Sequence, residues 1–283
     1  MALENLIAAL GDEITDPEEE TFLLFSHPIP SQNLGFVDAK ATDLELTVAG
    51  RDLNITQSPG LLSSNRAGGT TGAVVWKITP LFAEWIARED NILFKQSVLN
   101  SSSVVLELGC GISGIVGIVL GPKISKCFAT DQEYVFKLLK SNIDSNAAKP
   151  RNLQQAKKKP KGNYANYFDP VSSNIEVVAL DWESSSVSEL PNMIDAVIAC
   201  DCIYNEALVE PFVRTCAEIC QLTTASGKRT MCIIAQQLRS NTVFEAWLSA
   251  FHEVFRVWRV PDEVLNEGLR GGSGFIVHVA VLR

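Results

Sequence analysis

The chain of 283 residues lacks the features of several large protein classes. It has no Cys-x-x-Cys pair, and its three histidines, His27, His252 and His278, share no metal-ligand spacing. We therefore expect no metal site. The first twenty residues have no basic segment before their short apolar run, so no signal peptide is predicted. No apolar run is long enough to span a membrane, and we expect no membrane partner.

Disulfides are not expected either, although the chain has seven cysteines. The number is odd, and most of the cysteines fall within apolar runs, which is typical of reduced thiols in the core of an intracellular protein. This predicts a location in the cytoplasm, with the nucleus as a second possible compartment. The cysteines are Cys110, Cys127, Cys200, Cys202, Cys216, Cys220 and Cys232.

Charge is unevenly distributed along a chain whose net charge is -9. Residues 1–20 carry seven acidic side chains and no basic one, whereas residues 149–161 carry six basic side chains and no acidic one. Most of the protein should therefore repel nucleic acid and attract basic partners. The basic insert, about 148–165, is interpreted as a solvated loop, with an incidental RNA contact as the alternative.

Apolar strand patterns alternate with helical ones after residue 100, which predicts an α/β fold with a mostly parallel sheet covered on both faces. Helices are expected at 114–120, 133–147, 206–222 and 243–255, and Thr79 is expected to cap an earlier helix with Pro80 at its first position. The predicted strands are 104–108, 126–130, 175–180, 193–200, 230–235 and 275–282.

Two regions are predicted. Residues 1–65 form an N-terminal extension, in which alternating apolar residues from Leu44 to Ile55 indicate a β-hairpin. Residues 66–283 form the main domain, a Rossmann-like unit in which the number of strands suits a seven-stranded sheet.

A Gly-x-Gly-x-x-Gly turn after the first of these strands marks a nucleotide-like cofactor site. It consists of Gly109, Gly111 and Gly114, and Asp131 follows 17 residues later at the end of the next strand. A carboxylate at that position can accept hydrogen bonds from both hydroxyls of a ribose. Nicotinamide dinucleotides and S-adenosylmethionine both fit this pattern. Glu107 favours the second, because a carboxylate is unfavourable beside a pyrophosphate but can pair with the ammonium group of the methyl donor.

Several motifs in the same order resemble one enzyme family. The glycine turn with its Glu107 lead-in, Asp131, Asp181-Trp182 and the Asp-x-x-Tyr motif Asp201 to Tyr204 are similar to the seven-β-strand protein-lysine methyltransferases of the methyltransferase-like family, as is the stretch Thr71 to Trp76. The resemblance covers about residues 70–283. This family includes the valosin-containing-protein lysine methyltransferase. The segment Phe255 to Pro261 with Gly274-Phe275 is similar to fungal ribosomal lysine methyltransferases.

The resemblance implies a set of site residues and a substrate. It places around S-adenosylmethionine the residues Trp76, Gly109, Cys110, Gly111, Asp131, Trp182 and Cys200. Glu107 joins them on the charge argument above. Asp201 is expected to capture the incoming lysine and Tyr204 to offer a hydroxyl or ring face to its amine. The expected substrate is an exposed lysine of a large-subunit ribosomal protein or another translation-related protein, and the enzyme is expected to act as a monomer.

Four alternatives remain open from the sequence. The protein target could be a chaperone or an ATPase instead of a ribosomal protein. The acceptor could be a nucleic acid or a small molecule, although Cys202-Ile203 stands where base-methylating enzymes place prolines. The chain could bind the cofactor without transferring a methyl group, as an interaction module. A nicotinamide-dependent dehydrogenase is the fourth alternative.

Overall fold

The computed structural model describes residues 2–66, 69–147, 174–224 and 229–283. The predicted basic insert, about 148–165, lies outside the described residues. The strands of the described residues are β1 Asp43–Val48, β2 Arg51–Thr56, β3 Val104–Leu108, β4 Lys126–Asp131, β5 Ile175–Ala179, β6 Ala196–Cys200, β7 Met231–Gln237, β8 Phe255–Arg259 and β9 Phe275–Leu282.

Seven of these described strands form one sheet in the order β5-β4-β3-β6-β7-β9-β8. Strands β5, β4, β3, β6 and β7 run parallel, and β9 is antiparallel to both of its neighbours. Strand order reverses between β3 and β6, and ligands of open α/β sheets bind beyond the carboxyl ends of the strands at such a point. The predicted fold class is confirmed, including the separate antiparallel hairpin of β1 and β2.

Helices cover both faces of the sheet. Successive side chains of a strand point to opposite faces, so one strand contributes to two apolar clusters. Val105 packs in one apolar cluster with Phe82 and Leu139, whereas Leu106 packs in the other with Trp247. Among the described residues, no helix combines the length and apolar composition that crossing a membrane requires. The helices are α1 Ala2–Leu10, α2 Pro17–Phe25, α3 Pro59–Leu62, α4 Ile78–Ile86, α5 Ile92–Lys95, α6 Ile115–Leu120, α7 Phe136–Ala147, α8 Val209–Thr224 and α9 Asn241–Val254.

The structure corrects several sequence-based expectations; the predicted strand 193–200, for example, begins at Ala196. Thr79 does not cap α4, because the helix begins at Ile78 and the backbone N–H of Thr79 already donates to the carbonyl of Trp76, 3.1 Å away. The predicted helix 243–255 ends one residue earlier, at Val254, and β8 begins directly at Phe255. That strand was not predicted, since no turn residue separates it from the helix. The seven cysteines are all buried and unbridged, as expected.

The N-terminal hairpin is held against the main sheet's helical layer by two asparagines of α7. The side-chain oxygen of Asn142 accepts from the N–H of Thr56, and its Nδ2 donates to the carbonyls of Thr56 and Ile112. Asn146, one turn later, makes the corresponding pair with Asn54. These amides take the place of a neighbouring strand along the edge of β2. The division of the chain into an N-terminal extension, 1–65, and a main domain, 66–283, stays a prediction.

Replacing the buried amide of Asn142 should destabilise the whole protein. In Asn142→Asp an oxygen faces the two carbonyls to which Nδ2 donates, so buried polar groups lose their partners. We expect the free energy of unfolding to fall by about 1–3 kcal/mol in urea titrations. Ser145→Ala, on the exposed face of the same helix, is the control. Equal unfolding midpoints for both variants would contradict this role of Asn142.

Candidate functional site

A pocket of about 480 Å³ opens at the carboxyl ends of β3, β4 and β6. It lies at the point where strand order reverses, as expected for this class of sheet. Nine of the ten residues that the sequence analysis singled out line it: Trp76, Gly109, Cys110, Gly111, Asp131, Trp182, Cys200, Asp201 and Tyr204. The tenth, Glu107, is buried behind the wall, on β3.

The glycine turn needs glycine for both backbone conformation and space. Gly109 and Gly111 have φ values of 64° and 60°, which side-chain-bearing residues rarely adopt. A Cβ on Gly109 would lie 2.8 Å from the Sγ of Cys202 and 3.0 Å from the ring of Trp182. A Cβ on Gly111 would lie 3.1 Å from the carbonyl oxygen of Gly72. The turn therefore presents bare backbone to the pocket.

Asp131 closes this turn from the side of β4. Its Oδ2 accepts from the N–H of Gly111 at 2.8 Å, and its Oδ1 accepts from the N–H of Gln132 at 2.7 Å. Burial raises the pKa of this carboxyl to about 6, although both hydrogen bonds and the charge of Arg66 lower it. Each carboxylate oxygen can accept a second hydrogen bond, so Asp131 retains capacity for ligand hydroxyls.

Glu107 carries a buried carboxyl group whose charge no neighbouring cation offsets among the described residues. Its side chain is almost inaccessible, and its Oε2 has no hydrogen-bond partner among the described residues. Burial, together with the negative charge of Asp131, raises its pKa to about 8. Buried carboxylates are normally hydrogen-bonded or paired with a cation, so this one favours a positively charged ligand.

Two tryptophans line the pocket. Trp182 follows β5 and meets the ring of Phe212 edge-on, with a centroid distance of 5.4 Å. Trp76 donates from Nε1 to the carbonyl of Thr71 at 3.0 Å and packs on Phe36 at 4.5 Å. These contacts orient flat apolar surfaces that could hold an aromatic ring of a ligand.

Asp201 and Tyr204 line the side of the pocket that follows β6. Asp201 directly follows β6 in a left-handed conformation, with φ of 60°, which aspartate tolerates better than most residues. Tyr204 is 41% exposed, and its hydroxyl accepts from the Oγ1 of Thr71 at 3.3 Å. The tyrosine therefore lies where the pocket meets solvent, whereas the aspartate lies inside.

Sequence reasoning missed three side chains of the site. Arg239 donates from both terminal nitrogens to the carboxylate of Asp201, one of them at 2.6 Å. The hydroxyl of Tyr134 accepts from the N–H of Gly72 at 3.1 Å, and burial raises its pKa to about 12. Cys202 donates from Sγ to the carbonyl of Leu108. Arg239 comes two residues after β7, and ligand-binding residues of such sheets follow the carboxyl ends of the strands, so its position in the sequence could have pointed to the site.

The pocket wall is strongly acidic. Among the described residues that line it are Asp131, Asp181, Glu183 and Asp201, and these lining residues include no lysine, arginine or histidine. Within the described part of the chain, no three His, Cys, Asp or Glu side chains are grouped closely enough to hold a metal ion. The site suits a ligand with positive charge, hydroxyl groups and an aromatic ring, and its lining residues include no cation that could neutralise a pyrophosphate.

Comparison with known proteins gives one matching family model and several relatives. A family model described as lysine methyltransferase matches residues 55–250. A diaminohydroxyphosphoribosylamino-pyrimidine deaminase of Schizosaccharomyces pombe is 28% identical over 90% of the chain, and the chain spans 55% of that protein. A ribosomal lysine N-methyltransferase 5 of Zygosaccharomyces rouxii is 31% identical over 67% of the chain and 66% of its own length.

The chain thus spans about half to two thirds of these two relatives. Among solved structures, an rRNA methylase of Streptococcus thermophilus matches 75% of the chain and 100% of its own, with 15% identity and a TM-score of 0.40.

The pKa of Glu107 predicts a pH-dependent loss of stability. A carboxyl whose pKa is raised on folding stabilises least where it is ionised, so its contribution falls as pH rises from its unfolded value towards 8. Between pH 6.5 and 8.0, Glu107→Gln should therefore gain stability relative to the parent by up to about 2 kcal/mol. Thermal melts of both proteins at several pH values measure this gain. The exposed Glu133→Gln is the control, and a stability difference that stays constant with pH would contradict the assignment.

Proposed function

The chain belongs to the lysine methyltransferase family, and we propose that it transfers the methyl group of S-adenosylmethionine to a lysine side chain of a protein. The observation that carries the proposal is the acidic pocket, with the unpartnered carboxyl of Glu107 behind its glycine turn. S-adenosylmethionine combines two positive charges, a ribose and an adenine. It has no phosphate, unlike the nicotinamide dinucleotides.

The residues present fit this donor. Bare backbone at Gly109 and Gly111 leaves room for close approach, and Asp131 retains acceptor capacity for the ribose hydroxyls. A bound cation lowers the pKa of Glu107, whose carboxylate then supplies the negative charge that the cationic end requires, and Trp182 offers a flat surface for the adenine. When bound, the donor supplies a methyl group on a positively charged sulfur, which is reactive enough to need no metal or redox group.

The protein's task is then to align a lysine and to accept it without its proton. The nitrogen attacks in line with the bond that breaks, so only a neutral amine with a free electron pair reacts. Asp201 lies inside the pocket and can accept a hydrogen bond from the amine, which directs the lone pair towards the donor. Tyr204 stands at the entrance, where its ring can flank the aliphatic part of the lysine. The proton leaves to solvent through this entrance.

A ribosomal protein is the proposed substrate, and the cytoplasm the proposed location. The name of the Zygosaccharomyces rouxii relative supports this choice, and so does charge, since residues 1–20 carry seven acidic and no basic side chains. Ribosomal proteins are typically basic, and opposite charge accelerates their association with an acidic enzyme.

The deaminase activity in the name of the Schizosaccharomyces pombe relative is not proposed for this chain. Zinc-dependent base deaminases carry a Cys-x-x-Cys pair, and this sequence has none.

Methyl transfer from labelled S-adenosylmethionine into a ribosomal protein fraction tests the proposal. We expect label on lysine, located by mass spectrometry, and a rate about 100-fold lower for Asp201→Asn because the amine is no longer oriented. Calorimetry should show that this variant still binds the donor. The exposed Glu206→Gln is the matched control and should retain the parent rate. Label in RNA, or undiminished transfer by a folded Asp201→Asn, would refute the proposal.

A further inference from the structure

The carboxylate of Asp201 is shared with a cation from another part of the chain. Arg239 lies in the connection between β7 and α9, and its two terminal nitrogens donate to the two oxygens of Asp201. The guanidinium also donates to the side-chain oxygen of Gln237 at 2.9 Å. The side chain of Asp201 is almost fully buried in this pair, whereas that of Arg239 is a quarter exposed.

A second contact holds the guanidinium in place. Its central carbon lies 5.2 Å from the ring centroid of Trp76, which is itself held by Thr71 and Phe36. Arg239 therefore stands between the wall that contains Trp76 and the carboxylate that follows β6. A planar fork with two parallel hydrogen bonds fixes a carboxylate in both position and rotation.

Such a pair has a consequence for a lysine that enters the pocket. An isolated buried carboxylate stabilises the ammonium form of a neighbouring amine and so raises its pKa above the usual value of about 10.4. Methyl transfer needs the opposite, because the ammonium form has no electron pair to donate. A permanent positive charge on the same carboxylate opposes this stabilisation.

The other charged groups around the pocket do not supply this compensation. Arg66 lies over the ring of Tyr134, 4.2 Å from its centroid, and its charge acts on Asp131. Glu107 and the acidic side chains of the wall would favour the ammonium form further, and the thiols of Cys200 and Cys202 beside Asp201 are neutral, since burial raises their pKa values. Tyr204 carries no positive charge in any protonation state. Among the described residues, Arg239 is the only cation paired with Asp201.

We propose that Arg239 is a positioning residue for methyl transfer: it fixes the carboxylate of Asp201 and offsets its charge, so that the lysine is held as a neutral amine. The inference rests on the proposed function. Asp201 then orients the amine as a hydrogen-bond acceptor, without forming a full ion pair that would keep the proton on the nitrogen.

The pH dependence of the transfer rate tests this assignment. Rates with saturating S-adenosylmethionine and a saturating ribosomal protein fraction are measured from pH 6.5 to 10 for the parent, Arg239→Met and Arg239→Lys. Without the compensating charge, the acid limb of the kcat profile should move up by about one pH unit, which lowers kcat about tenfold at pH 7.5. Most of the loss should disappear at high pH. Arg239→Lys keeps the charge and should keep the parent's midpoint, with a lower plateau.

Arg256→Met is the matched control. Arg256 also pairs with a carboxylate, that of Glu13 at 2.7 Å, and lies 4.9 Å from the ring centroid of Trp258, but it belongs to the outer strand β8. This variant should keep the parent's pH profile. It therefore separates the effect of losing an arginine from that of losing the charge beside Asp201.

The outcomes distinguish the inference from the proposed function. If the parent protein transfers no methyl group to lysine at any pH, the proposed function fails. If the parent transfers methyl groups and Arg239→Met shows either an unchanged profile or an equal loss at every pH, the charge-offset role of Arg239 is refuted. If Arg239→Met does not fold, the role stands or falls with Arg239→Lys, whose shifted midpoint would refute it.

Discussion

The reversal of the chain at the carboxyl end of β3 determines where the other groups of the pocket lie. The turn through Gly109 and Gly111 brings the N–H of Gly111 to Asp131 and that of Ile112 to the carbonyl of Gly72. These two hydrogen bonds connect the turn after β3 to the end of β4 and to the segment before α4. Both glycines have a positive φ and close neighbours, so a side chain at either position would displace this arrangement.

The same turn isolates the carboxyl group of Glu107 from solvent. Glu107 precedes it on β3 and is left buried without a hydrogen bond to its Oε2, while acidic side chains line the pocket in front of it. An arrangement of this kind is costly in the free protein and becomes favourable when a cation binds. On the acceptor side, Arg239 balances Asp201. The pocket therefore has a half with the uncompensated carboxyl of Glu107, suited to a cationic donor, and a half in which Arg239 offsets Asp201, suited to a neutral amine.

Local patterns predicted much of this site, since strand ends and glycine spacing can be identified within short stretches of sequence. Asp131 and Asp201 each follow an apolar run directly, and parallel strands place such residues at one edge of the sheet. The position of Arg239 after β7 could have been noticed in the same way, but its pairing with Asp201 could not, because it joins residues 38 positions apart and depends on side-chain directions. Strand β8 was missed because α9 passes into it without a turn, and the asparagines of α7 were missed because their partner is the backbone of a distant hairpin.

Calorimetric titration of the purified protein with S-adenosylmethionine, and separately with NADH, tests most directly whether the pocket is a site for a cationic methyl donor. The account predicts saturable binding of S-adenosylmethionine at a single site and no detectable binding of NADH, because nothing on the pocket wall neutralises a pyrophosphate. Binding of NADH, or no binding of S-adenosylmethionine by the folded protein, would contradict it.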